Sequence, residues 1–175
     1  MIFQLDSDVL ITTSRKPSQK TRRFSQFLKH YFNFKYINRG KSSFNKVVTQ
    51  TRQEDVSKLI VITETKGNPS SINVYDIEKS SEEPLYSIYI NCSLPSNNSK
   101  INTKSNDIYV INKAKSLSEF NKFFMQIKPS EKIKTNCVIC RDYDKDDSVA
   151  SGNFIDKNGD DTKFKIYISG FKINE

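Results

Sequence analysis

The stretch Val9-Leu10-Ile11-Thr12-Thr13-Ser14-Arg15-Lys16-Pro17-Ser18-Gln19-Lys20-Thr21-Arg22-Arg23-Phe24 decides the reading of this chain. Its first five residues are β-branched or apolar, the pattern of a buried strand. Pro17 ends that run, and Ser18 is placed to cap a helix. Phe24, Phe27, Leu28 and Tyr31 then follow at helical spacing and lie within about 100° of arc. Arg22, Gln26 and Lys29 fall on the far side of that helix, with Arg23 and His30 at its edge. A strand that runs straight into an amphipathic helix marks an α/β fold.

Working outward, Phe34 to Asn38 reads as a second strand that Gly40 ends. Ser42 or Ser43 can cap a second helix with Phe44, Val47 and Val48 inward. Leu59 to Thr63 and Ile72 to Ile77 form a hairpin around a turn at Lys66 to Ser70, and Tyr86 to Ile90 is a fifth strand. Ser93 to Asn106, rich in Ser, Asn and Lys, reads as a polar linker. Beyond it the order partly repeats. Ile108 to Ile111 is a strand, and Ser118 caps a helix through Phe120, Phe123, Phe124 and Ile127. Cys137 to Cys140 is a strand, and Phe154-Ile155 pairs with Phe164 to Ile168 across a turn. The expectation is one domain over residues 1–175, built of two similar halves at about 1–92 and 107–173. Each half runs strand, helix, strand, hairpin.

The 175 residues are enough to bury a core, and 12 Phe and 8 Tyr argue against a disordered chain. No run approaches the 18 apolar residues of a membrane span. Met1 to Asp8 has acids where a secretory signal needs a basic region and an apolar core, so a cytoplasmic location is expected. Three cysteines make no disulfide framework.

The net charge of +8 is unevenly held. Val9 to Gln53 carries 11 basic residues and no acid, while the rest of the chain has 17 basic against 20 acidic. Asp142 to Asp161 is the opposite extreme, with seven Asp against Lys145 and Lys157. Such segregation reads as a polyanion-binding face with an acidic counterweight. Clustered Lys and Arg are what phosphate contacts need, although an ordinary solvated face is the simpler reading.

Several chemical motifs fail on inspection. Gly40-Lys41-Ser42 resembles the end of a phosphate-binding loop, but Lys35 stands where the first Gly is required. What survives is a phosphate site at a helix start, flanked by Arg39, Lys41 and Lys46, or else a plain capped helix. Cys137 and Cys140 have the spacing of a zinc half-site without a second pair, and on a strand they face opposite ways. Buried structural thiols are expected. Asp142, Asp144 and Asp146 begin like a calcium loop, but Asp147 and Asn153 occupy the places of its Gly and Glu. His30, the only His, has no partner pattern for general-base work. No enzyme and no cofactor are expected.

Three blocks resemble the Brix domain family: Asp8 through Phe24, Asn38-Arg39-Gly40, and Thr63-Glu64-Thr65-Lys66-Gly67-Asn68-Pro69. The most specific residues are Ser14-Arg15-Lys16-Pro17, Thr21-Arg22 and Phe24. The short length is similar to that of archaeal members. The resemblance implies a non-catalytic ribosome-biogenesis factor that binds precursor ribosomal RNA and aids its processing and subunit assembly. It also implies two α/β halves akin to an anticodon-binding domain. The RNA-binding residues expected are Arg15, Lys16, Lys20, Arg22, Arg23 and Lys29 on the first loop and helix. Arg39, Lys41, Ser42 and Lys46 are expected at the start of the second helix. Precursor ribosomal RNA is the expected partner, with other ribosome-assembly proteins beside it; neither a membrane nor a small-molecule substrate is expected. The alternative is a protein-interaction module whose basic face docks acidic partners and whose Asp142 to Asp161 segment docks ribosomal proteins.

Overall fold

A computed structural model describes residues 2–4, 8–79, 82–96, 108–127 and 133–174, the first three by backbone alone. In chain order the elements are β1 (Ile2–Gln4), β2 (Val9–Thr13), α1 (Gln19–Phe32), β3 (Lys35–Tyr36), α2 (Phe44–Gln53), β4 (Lys58–Thr65), β5 (Asn68–Asp76) and β6 (Tyr86–Ser93). There follow β7 (Tyr109–Asn112), a 3-10 helix (Lys115–Phe123), β8 (Met125–Ile127), β9 (Cys137–Asp142), β10 (Ala150–Ile155) and β11 (Asp161–Ile173). This is a mixed α/β chain, rich in strand and poor in helix. It divides into two compact units, one of residues 8–90 with 170–175 and the other of 1–7 with 91–169. In each unit one terminal segment joins residues from the other part of the chain.

In the first unit the strand order is β3-β2-β4-β5-β6, with β2 parallel to both neighbours. The chain leaves β2 through α1 to one side and returns through α2 to the other. Right-handed crossovers in opposite directions place their helices on opposite faces of the sheet. Val47 of α2 accordingly packs with Leu10, Leu59 and Val61. Strand alternation turns Ile60 and Ile62 to the other face, where α1 buries Phe24, Phe27, Leu28 and Tyr31. Each such side chain contributes roughly 1.5–3 kcal/mol of burial. Ser18 caps α1 by accepting the Thr21 N–H, and Asn33 ends it in the left-handed conformation at φ 58°.

Two expectations here are corrected, and one open alternative is resolved. The strand over 34–38 shortens to Lys35–Tyr36, because Ile37 to Lys41 turn back over the end of β2. Ser43, and not Ser42, caps α2. The turn expected at 66–70 is two residues, Lys66 (φ 51°) and Gly67 (φ 77°), with Asn68 already in β5. Both central φ values are positive, as a tight hairpin whose twist matches its strands requires.

The second unit contains β7 parallel to β9, then β9-β10-β11 in antiparallel order, with β1 between β7 and β8. β1 had no signal in the sequence. The helix expected at 118–127 is instead a 3-10 segment that starts at Lys115 and kinks at Leu117. Ser118 does not cap it, and Phe124 is extended, leading into β8. Gly152 on β10 leaves room for Ile166 of β11, whose Cγ1 would lie 3.0 Å from a Cβ placed there. Of the expected linker, Ser93 belongs to β6 and 97–106 lie outside the described residues.

Candidate nucleic-acid interface

β2 is the strand at which the chain order reverses, and the loops that leave such strands at their C-terminal ends form the usual ligand crevice of α/β sheets. Two loops do so here, residues 14–18 after β2 and 37–43 after β3. They are tied together. Lys16 N–H donates to the Gly40 carbonyl at 3.1 Å, and Thr12 Oγ1 donates to the Ile37 carbonyl at 2.7 Å. Arg39 donates from Nη1 to the Thr13 carbonyl at 2.9 Å and from Nε to the Ser42 carbonyl at 2.7 Å. Arg15 Nε reaches the same Ser42 oxygen at 3.3 Å.

The β4–β5 hairpin holds the other end of the first loop. Ser18 N–H donates to Glu64 Oε2 at 2.9 Å, and the Thr21 hydroxyl donates to that oxygen at 2.5 Å. Ser18 Oγ donates to the Gly67 carbonyl at 2.7 Å, and Lys20 Nζ to Asn68 Oδ1 at 3.0 Å. A register shift between Thr63 and Glu64 leaves Ser70 as an extra residue on β5 beside Pro69. Proline, lacking an N–H, is tolerated at such a bulge. Burial alone would raise the Glu64 pKa. The hydrogen bonds from Thr21 and Ser18 and the charge of Arg22 outweigh it and hold the pKa below the usual value.

The three blocks that carry the family resemblance therefore build one scaffold. Around it Arg15, Lys16, Lys20, Arg22, Lys41 and Lys46 are exposed, while Arg23, Lys29 and Ser42 are half-buried. Lys29 stands apart, about 14 Å along α1 from Lys20 at 1.5 Å per residue. Arg39 departs from expectation. It is only 6% exposed, and its guanidinium binds backbone carbonyls, so it braces the loops instead of meeting solvent. Burial and the nearby Arg15 charge both lower its pKa, with a small opposing influence from Tyr75. Ser42 departs as well, because its N–H already donates to the Arg39 carbonyl at 3.1 Å. Neither α1 nor α2 has an acid in its first turn, so the positive ends of both helices add to the local field.

Lys16 takes φ 48°, in the left-handed region that non-glycine residues adopt at a cost of roughly 1–2 kcal/mol. Its bond to Gly40 fixes that conformation and turns the side chain outward. Lys66, at the hairpin tip beside Ser18, is an exposed cation that the charge window over 9–53 left out. The role of Glu64 has no local sequence signal, since its partners lie more than 40 residues away.

The other motifs stay structural. Cys137 and Cys140 are buried, and burial pushes both thiols up, Cys140 to about 11, far from a reactive thiolate. Asp142 accepts from Lys115 N–H, Ser116 N–H and Ser116 Oγ at 2.7–3.1 Å and so fastens the start of the 3-10 helix. Among the described residues no group of three or more His, Cys, Asp or Glu is gathered to hold a metal ion. No helix among them is long and apolar enough to cross a membrane.

No family model matches the chain. A probable Brix domain-containing ribosomal biogenesis protein of Archaeoglobus fulgidus is 44% identical over 71 residues, 38% of this chain and 40% of that protein. The corresponding protein of Methanothermobacter thermautotrophicus is 46% identical over 68 residues, covering 39% and 41%. The matched stretch thus spans about two fifths of the length of these curated relatives. The crystal structure of Mil, an archaeal Imp4-like protein, matches with a TM-score of 0.78 and 27% identity over 95% of this chain and 99% of that one. A probable ribosomal biogenesis protein from Aeropyrum pernix shares the fold, with a TM-score of 0.65 at 20% identity over 91% and 94%. In sequence over two fifths of its length, and in fold over nearly all of it, the chain resembles the archaeal Brix domain-containing, Imp4-like ribosomal biogenesis proteins.

Proposed function

We propose that the chain is a non-catalytic ribosome-biogenesis factor that binds precursor ribosomal RNA through its basic first unit, aiding rRNA processing and subunit assembly in the cytoplasm. The observation that supports this most is the convergence of three sequence blocks on one rigid scaffold. That scaffold presents Arg15, Lys16, Lys20, Arg22, Lys41 and Lys46 to solvent at the ends of two parallel strands. Phosphate groups are the ligands that such a surface suits, because each neutralised phosphate releases counterions. Arg39 takes a positioning role in this reading. An anion at the loops relieves the repulsion between Arg39 and Arg15.

The test replaces Arg22 and Arg23 together with Ala and follows binding to a ribosomal RNA fragment across salt concentrations. Affinity falls, and the log–log salt slope shrinks by about 1.4–1.8 if each arginine meets one phosphate. An unchanged affinity and slope would transfer the basic face to an acidic protein partner. Crosslinking in cells followed by sequencing of attached RNA checks the same point, with ribosomal RNA as the expected product.

A further inference from the structure

The second unit carries its own cluster of aromatic and basic side chains, on the sheet face opposite Asp142. Register places them. Ser151 on β10 pairs with Arg141 of β9 on one side and Tyr167 of β11 on the other, and Asn153 pairs with Ile139 and Lys165. Strand alternation puts Arg141, Ser151, Asn153, Lys165 and Tyr167 on one face and Asp142 on the other. Tyr143 continues the Arg141 side beyond β9. Its ring meets that of Tyr167 at 5.2 Å between centroids, and Lys165 Nζ lies 5.6 Å and 5.0 Å from the two rings. Ser151, on the strand between them, is 5% exposed.

Several carboxylates of the surrounding segment are engaged by the protein itself. Asp142 binds the 3-10 helix from the opposite face. Asp156 accepts the N–H groups of Asn158 and Asp160 in the turn after β10. Asp161 accepts from Lys163 N–H and from Asn153 Nδ2, so its carboxylate stands at the turn end of this same face. Asp144, Asp146 and Asp147 lie past the end of β9, in the loop that Tyr143 N–H closes on the Val149 carbonyl. Away from that end the face carries a tyrosine pair bracketed by Arg141 and Lys165. The first unit has only part of this: Ser71 stands opposite the exposed Tyr89, but Asn73 faces Ser87 where the second unit has Lys165.

We infer that the Tyr143–Tyr167 face of β9–β11 is a second RNA contact, one that takes unpaired nucleotides of a single strand. Sheet-borne aromatic rings stack bases without regard to sequence, and flanking Arg and Lys track the phosphates. A duplex keeps its base faces inside and has nothing to offer these rings. The inference rests on the reading of the chain as an RNA-binding protein.

The test uses the full chain with a labelled twelve-nucleotide oligouridine and an RNA duplex of equal length, read by fluorescence anisotropy. Tyr143→Ala and Tyr167→Ala each weaken oligouridine binding about fivefold or more and leave the duplex unchanged. Tyr167→Phe keeps the ring and retains binding, and thermal melting checks that each variant is folded. If folded Tyr143→Ala binds oligouridine like the parent, or loses both RNAs equally, the inference is overturned. The Arg22→Ala/Arg23→Ala variant separates the two readings. When it weakens both RNAs while the tyrosine variants change neither, the basic face stands and this face falls. When the parent binds neither RNA, both fall.

Discussion

The helix that follows the leading strand begins differently in the two units. α1 is 14 residues long, is capped by its own Ser18, and lays four large side chains on the sheet. The 3-10 segment of the second unit is nine residues long, starts at Ala114 without a side-chain cap, and buries Leu117 and Phe120. Its N-terminal N–H groups are held by Asp142, 26 and 27 residues further on. A helix with its own cap is braced by the hairpin at Glu64, whereas a helix without one has its first N–H groups held by a distant carboxylate. The first unit can therefore carry a rigid ligand scaffold on its loops. The second presents its candidate groups on strands.

Truncating one anchor of each helix gives the strongest way to break that comparison. Phe24→Ala removes a fully buried ring from a long helix that cannot shift, at an expected cost of about 3–5 kcal/mol. Phe120→Ala removes a ring from a short, kinked segment that can settle, so its cost lies at about 3 kcal/mol or below. Urea unfolding of both variants measures the difference. Equal losses would mean that the two helices are equally anchored.

Legibility in the sequence follows the same divide. Ser18, the spacing of Phe24, Phe27, Leu28 and Tyr31, and the β-branched run at Val9 to Thr13 are local signals, and the elements they predict are present. The aromatic spacing of Phe120, Phe123 and Phe124 looks equally helical. It fails because the chain needs Phe124 extended to reach β8, whose partner β1 comes from the far end of the sequence. The charge window located the exposed cations of the two loops. It does not show that Arg39 faces inward, since that depends on the Thr13 carbonyl at the end of β2 and the Ser42 carbonyl in the loop before α2 coming together. Lys35 illustrates the converse. It sits in the acid-free window, yet its ammonium donates to the Glu54 carbonyl and lies 3.9 Å from that carboxylate, just past the window's end.

Glu64 sharpens the comparison through pH. Its folded pKa lies below the unfolded value, so its contribution is fully present above about pH 4.3 and is lost as pH falls through the lower folded value. Glu64→Gln removes that acid dependence. Glu64→Ala leaves the fully buried Thr21 hydroxyl without its acceptor and costs about 1–3 kcal/mol at neutral pH. Melting curves between pH 3 and 7 test both outcomes. A Glu64→Gln variant that still loses stability along the parent's acid limb would show that the hairpin does not brace α1 through this charge.

Asp142 is the counterpart in the second unit, and its effect is the smallest. Its pKa is lowered by the hydrogen bonds from the Ser116 side chain, the Ser116 N–H and the Lys115 N–H. The sign is the same as for Glu64, so the stabilising contribution fades only below the ordinary aspartate range of about 3.9. The carboxylate is exposed, so water replaces much of what a substitution removes. Asp142→Asn keeps one acceptor oxygen and shifts the melting temperature less than Glu64→Ala does. The change is concentrated at residues 115–123, where amide exchange quickens while α1 keeps its protection. Faster exchange in α1 as well would tie the two helix starts into one cooperative element and erase the distinction between local and distant capping.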